Sequence, residues 1–188
     1  MQKIASIIVT YNATKNNWLQ KCLDSLINST IAQEIIVVDN NSSDDTVAII
    51  KKDYPQITLV ESAINLGFGK ANNKGLEIAL KNGCDYFFLL NQDAWVENDT
   101  IKSLYDKILA ESEYGIVSPL HLTGDGSKLD WNFEMSASYK LCTGLCADFI
   151  LKKDTDKIYH SDFVCAAAWL ISKKCVEKLL QFKYTRIC

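Results

Sequence analysis

Asp39 and the pair Asn91 and Asp93, in the triplet Asn91-Gln92-Asp93, are the residues whose type and position best suit chemistry. Each follows a short apolar run, Ile35 to Val38 in the first case and Tyr86 to Leu90 in the second. A carboxylate closing a buried second strand is where doubly wound nucleotide-binding folds place an acid against ribose. Its acceptor oxygens select a nucleoside over a bare phosphate. Asn91 and Asp93 stand two apart, so a persisting strand geometry points both to one face. Two oxygens so placed can hold Mg²⁺ or Mn²⁺, with substrate phosphates completing the shell. Asn-x-Asp is a common triplet, so it carries weight only together with its surroundings.

Those surroundings repeat the pattern. Thr10-Tyr11-Asn12 follows the run Ile4 to Val9, and Asn65-Leu66-Gly67-Phe68-Gly69 follows Ile57 to Glu61. Any turn uses Asn, Asp, Ser and Gly. Four successive strand ends with short hydrogen-bonding side chains are harder to ascribe to turns alone, because open parallel sheets bind ligands beyond the carboxyl ends of their strands. Other chemistries find little support. Gly67-Phe68-Gly69 lacks the third glycine of a dinucleotide fingerprint and follows the third strand, not the first. There is no Gly-Lys-Ser/Thr phosphate loop and no Gly-x-Ser-x-Gly elbow. His121 and His160 are the only histidines, and each reads as a surface or packing residue.

The elements that must hold these loops alternate. Between the runs, Trp18, Leu19, Cys22, Leu23, Leu26 and Ile27 recur at helical spacing. A second helix follows Asp44 or Asp45 as its cap, and a third spans about Lys70 to Asn82, with Gly83 as its stop. A fourth helix over about Thr100 to Glu111 precedes a strand at Gly115 to Ser118. Residues 121–160 show no clean periodicity, Phe163 to Ser172 reads as one more buried strand, and Lys173 to Leu180 starts a helix. Strand–helix alternation predicts an α/β fold with a mostly parallel central sheet and helices on both faces. The 188 residues suit one domain, with 1–118 as a nucleotide-binding part and 119–188 as the other side of the site. Twenty basic against 23 acidic residues, with no basic block, argue against nucleic acid. The longest apolar run, Phe163 to Ile171, is about half of what a membrane-spanning helix needs. The seven scattered cysteines read as free buried thiols, and the N-terminus lacks a signal-peptide pattern. Leu141 to Phe149 is apolar enough to touch a membrane or partner, with burial in the core the better reading. The compartment expected is the cytoplasm, with peripheral association at the inner membrane face as its variant.

The loops in this order resemble the family 2 glycosyltransferases, whose catalytic domain has the GT-A fold. Ile8-Val9-Thr10-Tyr11-Asn12 is similar to the first-strand signature, and Ile36-Val37-Val38-Asp39-Asn40-Asn41-Ser42-Ser43-Asp44-Asp45-Thr46 to the second. Asn65-Leu66-Gly67-Phe68-Gly69-Lys70-Ala71-Asn72-Asn73-Lys74-Gly75 resembles the third-strand loop of the rhamnosyltransferase-like branch. Leu89-Leu90-Asn91-Gln92-Asp93 stands where the metal motif belongs, and Asp162 to Ile171 resembles the acceptor-side strand, with Ala166 where glycine is usual. The resemblance implies that Thr10, Tyr11 and Asn12 line the base pocket, and that Asp39 binds base or ribose with Asn41 beside it. It implies that Asn65, Gly69 and Asn72 lie along nucleotide and sugar, with Asn91 beside Asp93. Asp93 would bind the Mg²⁺ or Mn²⁺ that bridges the diphosphate. It further implies transfer from a nucleotide-sugar donor, dTDP-rhamnose or a UDP-hexose, to a saccharide or lipid-linked acceptor with inversion, as in polysaccharide biosynthesis.

One departure stands out. The family's general base belongs to a Glu-Asp pair downstream of the acceptor-side strand. Here Glu177 is the only carboxylate side chain after Asp162, so the catalytic base is unassigned and the domain reads as incomplete at its C-terminus. Asp162 is a weak substitute. A donor-binding pseudoenzyme or fragment is the alternative to an active transferase. A nucleotidyltransferase is a weaker third reading, because Thr10 to Asn17 offers only Lys15.

Overall fold

The computed structural model describes residues 2–111, 113–137, 144–153, 158–161 and 163–181. The apolar runs form a single six-stranded sheet: β1 (Ile4–Thr10), β2 (Glu34–Asp39), β3 (Thr58–Glu61), β4 (Tyr86–Asn91), β5 (Ile116–Val117) and β6 (Ala168–Ser172). Its order is β3-β2-β1-β4-β6-β5. The first four strands run parallel, and β6 is antiparallel to both of its neighbours. Register pairs Thr10 with Asp39, Asp39 with Glu61, and Val9 with Asn91, so these strands end level with one another. That level edge brings the four polar loops side by side.

Strand alternation gives each face its own core. Ile4, Ile8, Val37, Phe88 and Leu90 meet α1 (Trp18–Ile27), α2 (Thr46–Asp53) and α4 (Thr100–Ala110) on one side. Ile7, Ile36, Val38, Phe87 and Leu89 meet α3 (Phe68–Lys81) and α7 (Lys173–Gln181) on the other. The expected helices on both faces are therefore present. α3 lies close enough to the sheet that a Cβ on Gly75 would sit 2.5 Å from Ile7 Cγ2 and 3.4 Å from Val38 Cγ2. Gly83, at φ +78°, stops the helix as expected.

The sequence patterns fail in the last third. Residues 131–137 and 145–150 form α5 (Trp131–Ala137) and α6 (Leu145–Ile150), two short helices where no periodicity was legible. Leu129, Phe133 and Leu145 form a small buried cluster with them, and Cys146 and Phe149 pack against it partly buried, while Gly144 and Ala147 of the described part of Leu141–Phe149 stay exposed. Residues 141–143 lie outside the described residues, as do Asp162, Cys142 and Cys188. The strand expected from Phe163 begins only at Ala168. Ala166 and Ala167 make a turn, Phe163 is 55% exposed, and Val164 and Cys165 spend their apolar surface on packing away from the ladder. The described cysteines Cys22, Cys84, Cys146, Cys165 and Cys175 are free. Among the described residues no helix is long and apolar enough to cross a membrane. At the sheet's two margins stand β5, only two residues long, and β3, whose Glu61 pairs with Lys51 at 2.7 Å.

The start of α2 is tied to the loop after β1. Thr46 Oγ1 accepts from the Ala13 amide at 2.8 Å. Asp44, not Asp45, supplies the carboxylate at this helix start: Oδ1 accepts from Thr46 N at 3.1 Å and from its hydroxyl at 2.5 Å, and Oδ2 from Thr14 N and Oγ1 at 3.2 and 2.8 Å. Burial pushes the Asp44 carboxyl up, but the bonds from Thr46 and Thr14 outweigh it and hold the group below its ordinary value.

Two outcomes follow from these contacts. Gly75→Ala overfills the α3–sheet contact and should cost about 1–3 kcal/mol, read as a lower urea midpoint at unchanged m-value. Because the folded-state pKa of Asp44 is depressed, its stabilisation is present above the unfolded value of about 3.9 and is lost as pH falls through the folded value. The stability gap between the wild-type chain and Asp44→Asn should therefore narrow as urea titrations move from neutral pH down past the unfolded value of about 3.9.

Candidate functional site

Asp39 organises the edge. It is 2% exposed, so its charge must be met by hydrogen bonds. Oδ1 accepts from Thr10 Oγ1 at 3.0 Å and from Ser42 Oγ at 2.5 Å, and Oδ2 accepts from the Ser42 amide at 2.9 Å. Asn41 turns the chain back toward the carboxylate at φ +68°, a left-handed conformation that asparagine tolerates. Ser42 Oγ in turn accepts from the Asn12 amide at 2.9 Å, while Asn12 Oδ1 accepts from the Ser43 amide at 2.8 Å. Thr10, Asn12, Asp39 and Asn41 are thus one connected unit, with Asn12 and Asn41 at its exposed surface.

Asn40, which sequence reasoning passed over for Asn41, is 4% exposed and reaches the next loop. Its Nδ2 donates to Asn65 Oδ1 at 2.9 Å, and its Oδ1 accepts from Leu66 N at 2.7 Å. Asn65 Oδ1 also accepts from Gly67 N at 2.9 Å, so Asn65 shapes the entry to α3. Gly69 lies in the first turn of that helix. Asn72, 2% exposed, donates to Phe68 O at 3.0 Å, which holds its amide against its own helix.

The fourth loop rests on α1. Cys22 Sγ donates to Asn91 O at 3.5 Å, Ser25 Oγ accepts from Val96 N at 3.2 Å, and Lys21 Nζ lies 4.9 Å from the Trp95 ring centre. Burial, and then the charge of Asp93, pushes the Cys22 thiol far up, so it remains protonated and able to donate. Gln92, also missed, is the direct side-chain bridge to the first loop. Its Oε1 accepts from Tyr11 N at 2.8 Å and its Nε2 donates to Tyr11 O at 3.3 Å. The Tyr11 ring stays 47% exposed. No composition or spacing rule flags the middle residue of Asn-x-Asp, whereas the burial of Asn40 could have been suspected from its strand-end position.

Asn91 Oδ1, Asn73 Oδ1 and Trp169 Nε1 are buried without a hydrogen-bond partner. All three belong to the α3 side of the sheet: Asn73 on the helix, Trp169 in its core, and Asn91 two residues after Leu89. Native proteins leave few such atoms unmet. Asn91 Oδ1 and the exposed carboxylate of Asp93 are hard oxygen donors of the kind Mg²⁺ and Mn²⁺ take. Among the described residues no three His, Cys, Asp or Glu side chains cluster for a metal. A cation held by these two residues would have to draw its remaining ligands from phosphate and water. Two cavities of about 530 and 660 Å³ lie elsewhere, the first beside Ser103, Ser118, Phe133 and Phe163, the second beside Lys128, Phe149 and Ile150. Neither is lined by the four loops.

Known proteins share this fold. Glycosyltransferase GlyA of Streptococcus pneumoniae serotype 4 is 36% identical over 111 residues, covering 57% of this chain and 15% of its own. A mannosyltransferase from Pyrobaculum calidifontis, solved with GDP-Man and Mn²⁺, superposes with a TM-score of 0.66 at 20% identity, over 95% of this chain and 47% of that one. S. aureus TarS 1-349 gives a TM-score of 0.64 at 18% identity, over 94% and 49%. The chain spans about half the length of these solved structures, and the shared architecture is the GT-A fold. The sequence pattern of glycosyl transferase family 2 matches residues 6–180, and the chain belongs to that family.

Proposed function

We propose that the level edge of β3-β2-β1-β4 is a nucleotide-sugar site, and that the chain serves metal-assisted transfer of a sugar, with inversion, to a saccharide or lipid-linked acceptor. The observation that carries this is the unpartnered Asn91 Oδ1 beside the exposed Asp93, at the mouth of loops already bonded into one cradle. The exposed Tyr11 ring offers a face for the nucleotide base. Thr10 and Ser42 hold the Asp39 carboxylate toward base or ribose, with Asn12 and Asn41 at the rim. Asn65, just before α3, and Gly69, in its first turn, line the path of the diphosphate and sugar, while buried Asn72 supports that turn from within through its bond to Phe68 O. Asn91 and Asp93 would hold Mg²⁺ or Mn²⁺, which supplies charge neutralisation for the leaving nucleoside diphosphate. The donor is dTDP-rhamnose or a UDP-hexose. The solved relatives support the class: TarS 1-349 was crystallised with UDP and with UDP-GlcNAc. Residues 119–188 form the acceptor side of the same domain, and no described residue is assigned as the proton acceptor.

Calorimetric titration of UDP, dTDP and GDP, with Mn²⁺ and again with EDTA, tests the site. One nucleotide should bind with Mn²⁺, and Asp93→Ala should weaken it at least tenfold, about 1.4 kcal/mol. A folded chain that binds none of them overturns the reading. Binding without transfer to any acceptor would leave donor binding as the function.

A further inference from the structure

β1 and β4 are neighbours whose ladder ends at the pair Val9 and Asn91. Beyond it the two chains part. The Ala94 amide donates to Asn91 O at 3.1 Å, closing a turn that removes the backbone of residues 92 and 93 from the sheet. Tyr11 would then have lost its partner on this side. The Gln92 side chain takes that place, accepting from Tyr11 N at 2.8 Å and donating to Tyr11 O at 3.3 Å. A primary amide offers both a donor and an acceptor in a single plane without carrying charge, and so can meet the N–H and the C=O of one residue together. The pair therefore fixes the two loops in orientation as well as distance. Among the described hydrogen bonds, no other side chain joins the segment Tyr11–Asn17 to residues 91–96.

We propose that Gln92 is a positioning residue that couples the two halves of the site, so that ordering the Tyr11–Asn12 loop around a nucleoside favours cation binding at Asp93, and the reverse. This rests on the donor-site reading above. Two ligands that each order one end of a shared rigid link bind with positive cooperativity, because the second finds part of the ordering already done. The coupling must be equal in both directions.

A nucleoside diphosphate chelates the cation itself and would mask this effect, so the probes are uridine, thymidine and guanosine, which carry no phosphate. Their affinities are measured with Mn²⁺ and with EDTA, for the wild-type chain and for Gln92→Met, which keeps the length and removes both bonds. The wild-type chain should bind one nucleoside about fivefold or more tighter with Mn²⁺. In Gln92→Met the ratio of the Mn²⁺ affinity to the EDTA affinity should fall to about one, whatever the change in either alone, and hydrogen exchange at the Tyr11 amide should speed up. Thermal unfolding of the variant checks that the fold is kept, and Gln92→Leu repeats the comparison in a second background. An enhancement that survives in both variants overturns the coupling and leaves the donor site standing. So does its absence from a wild-type chain whose nucleoside diphosphate binding depends on Mn²⁺. A wild-type chain that binds neither nucleosides nor nucleotides overturns the donor site and the coupling together.

Discussion

A carboxylate that is almost wholly buried has to be surrounded by hydrogen-bond donors, and the way Asp39 meets that demand shapes the rest of the edge. Its donors come from the end of β1 and from its own following loop. Ser42 can only reach back because Asn41 takes a left-handed turn. Ser42 then holds Asn12, and Asn12 holds Ser43. One desolvated charge is thereby converted into a fixed relation between the first and second loops. Asn40 extends the relation to the third loop, and Gln92 links the fourth to the first.

The parallel sheet makes this economical. Strands that run the same way deliver all their following loops to one edge, and the matched register of β1, β2, β3 and β4 keeps those loops within side-chain reach. Side-chain amides and hydroxyls do the joining. They can satisfy one another in the absence of ligand while presenting Asn12, Asn41, Asp93 and the Tyr11 ring outward. Inward bonding and outward exposure are divided between neighbours in sequence: buried Asn40 and exposed Asn41, and bridging Gln92 with exposed Asp93.

Much of the fold was legible because its signals are local. The runs at Ile4, Ile35 and Tyr86 are pure enough in apolar side chains to be buried strands, and α1 and α3 are long enough for their spacing to show. α5 and α6 have seven and six residues, fewer than two full turns of α-helix at about 3.6 residues each, so no periodicity could emerge. Phe163 to Ala167 is as apolar as a strand because a side cluster and the α3 face, and not the ladder, use its Val164 and Cys165. At the candidate site, the polar strand ends lie together on one sheet edge. Which of them face a ligand and which bond one another depends on register and burial. Thus Asn65 and Asn72, read as lining the donor, spend amide groups on the protein's own backbone and on Asn40, and no spacing rule distinguished Gln92.

The margins of the sheet have a consequence for how copies of the chain meet one another. An edge strand with free amides and carbonyls is a template on which a second molecule can add a strand, and long flat edges invite it. Here β5 offers a template of two residues, too short to nucleate a stable pairing, while the opposite margin carries Glu61 with its lysine partner. A foreign strand aligning there would have to desolvate that ion pair. Among the described residues, both margins of the sheet are thereby made poor templates, so an open layer of strands can resist lateral growth without being closed into a barrel.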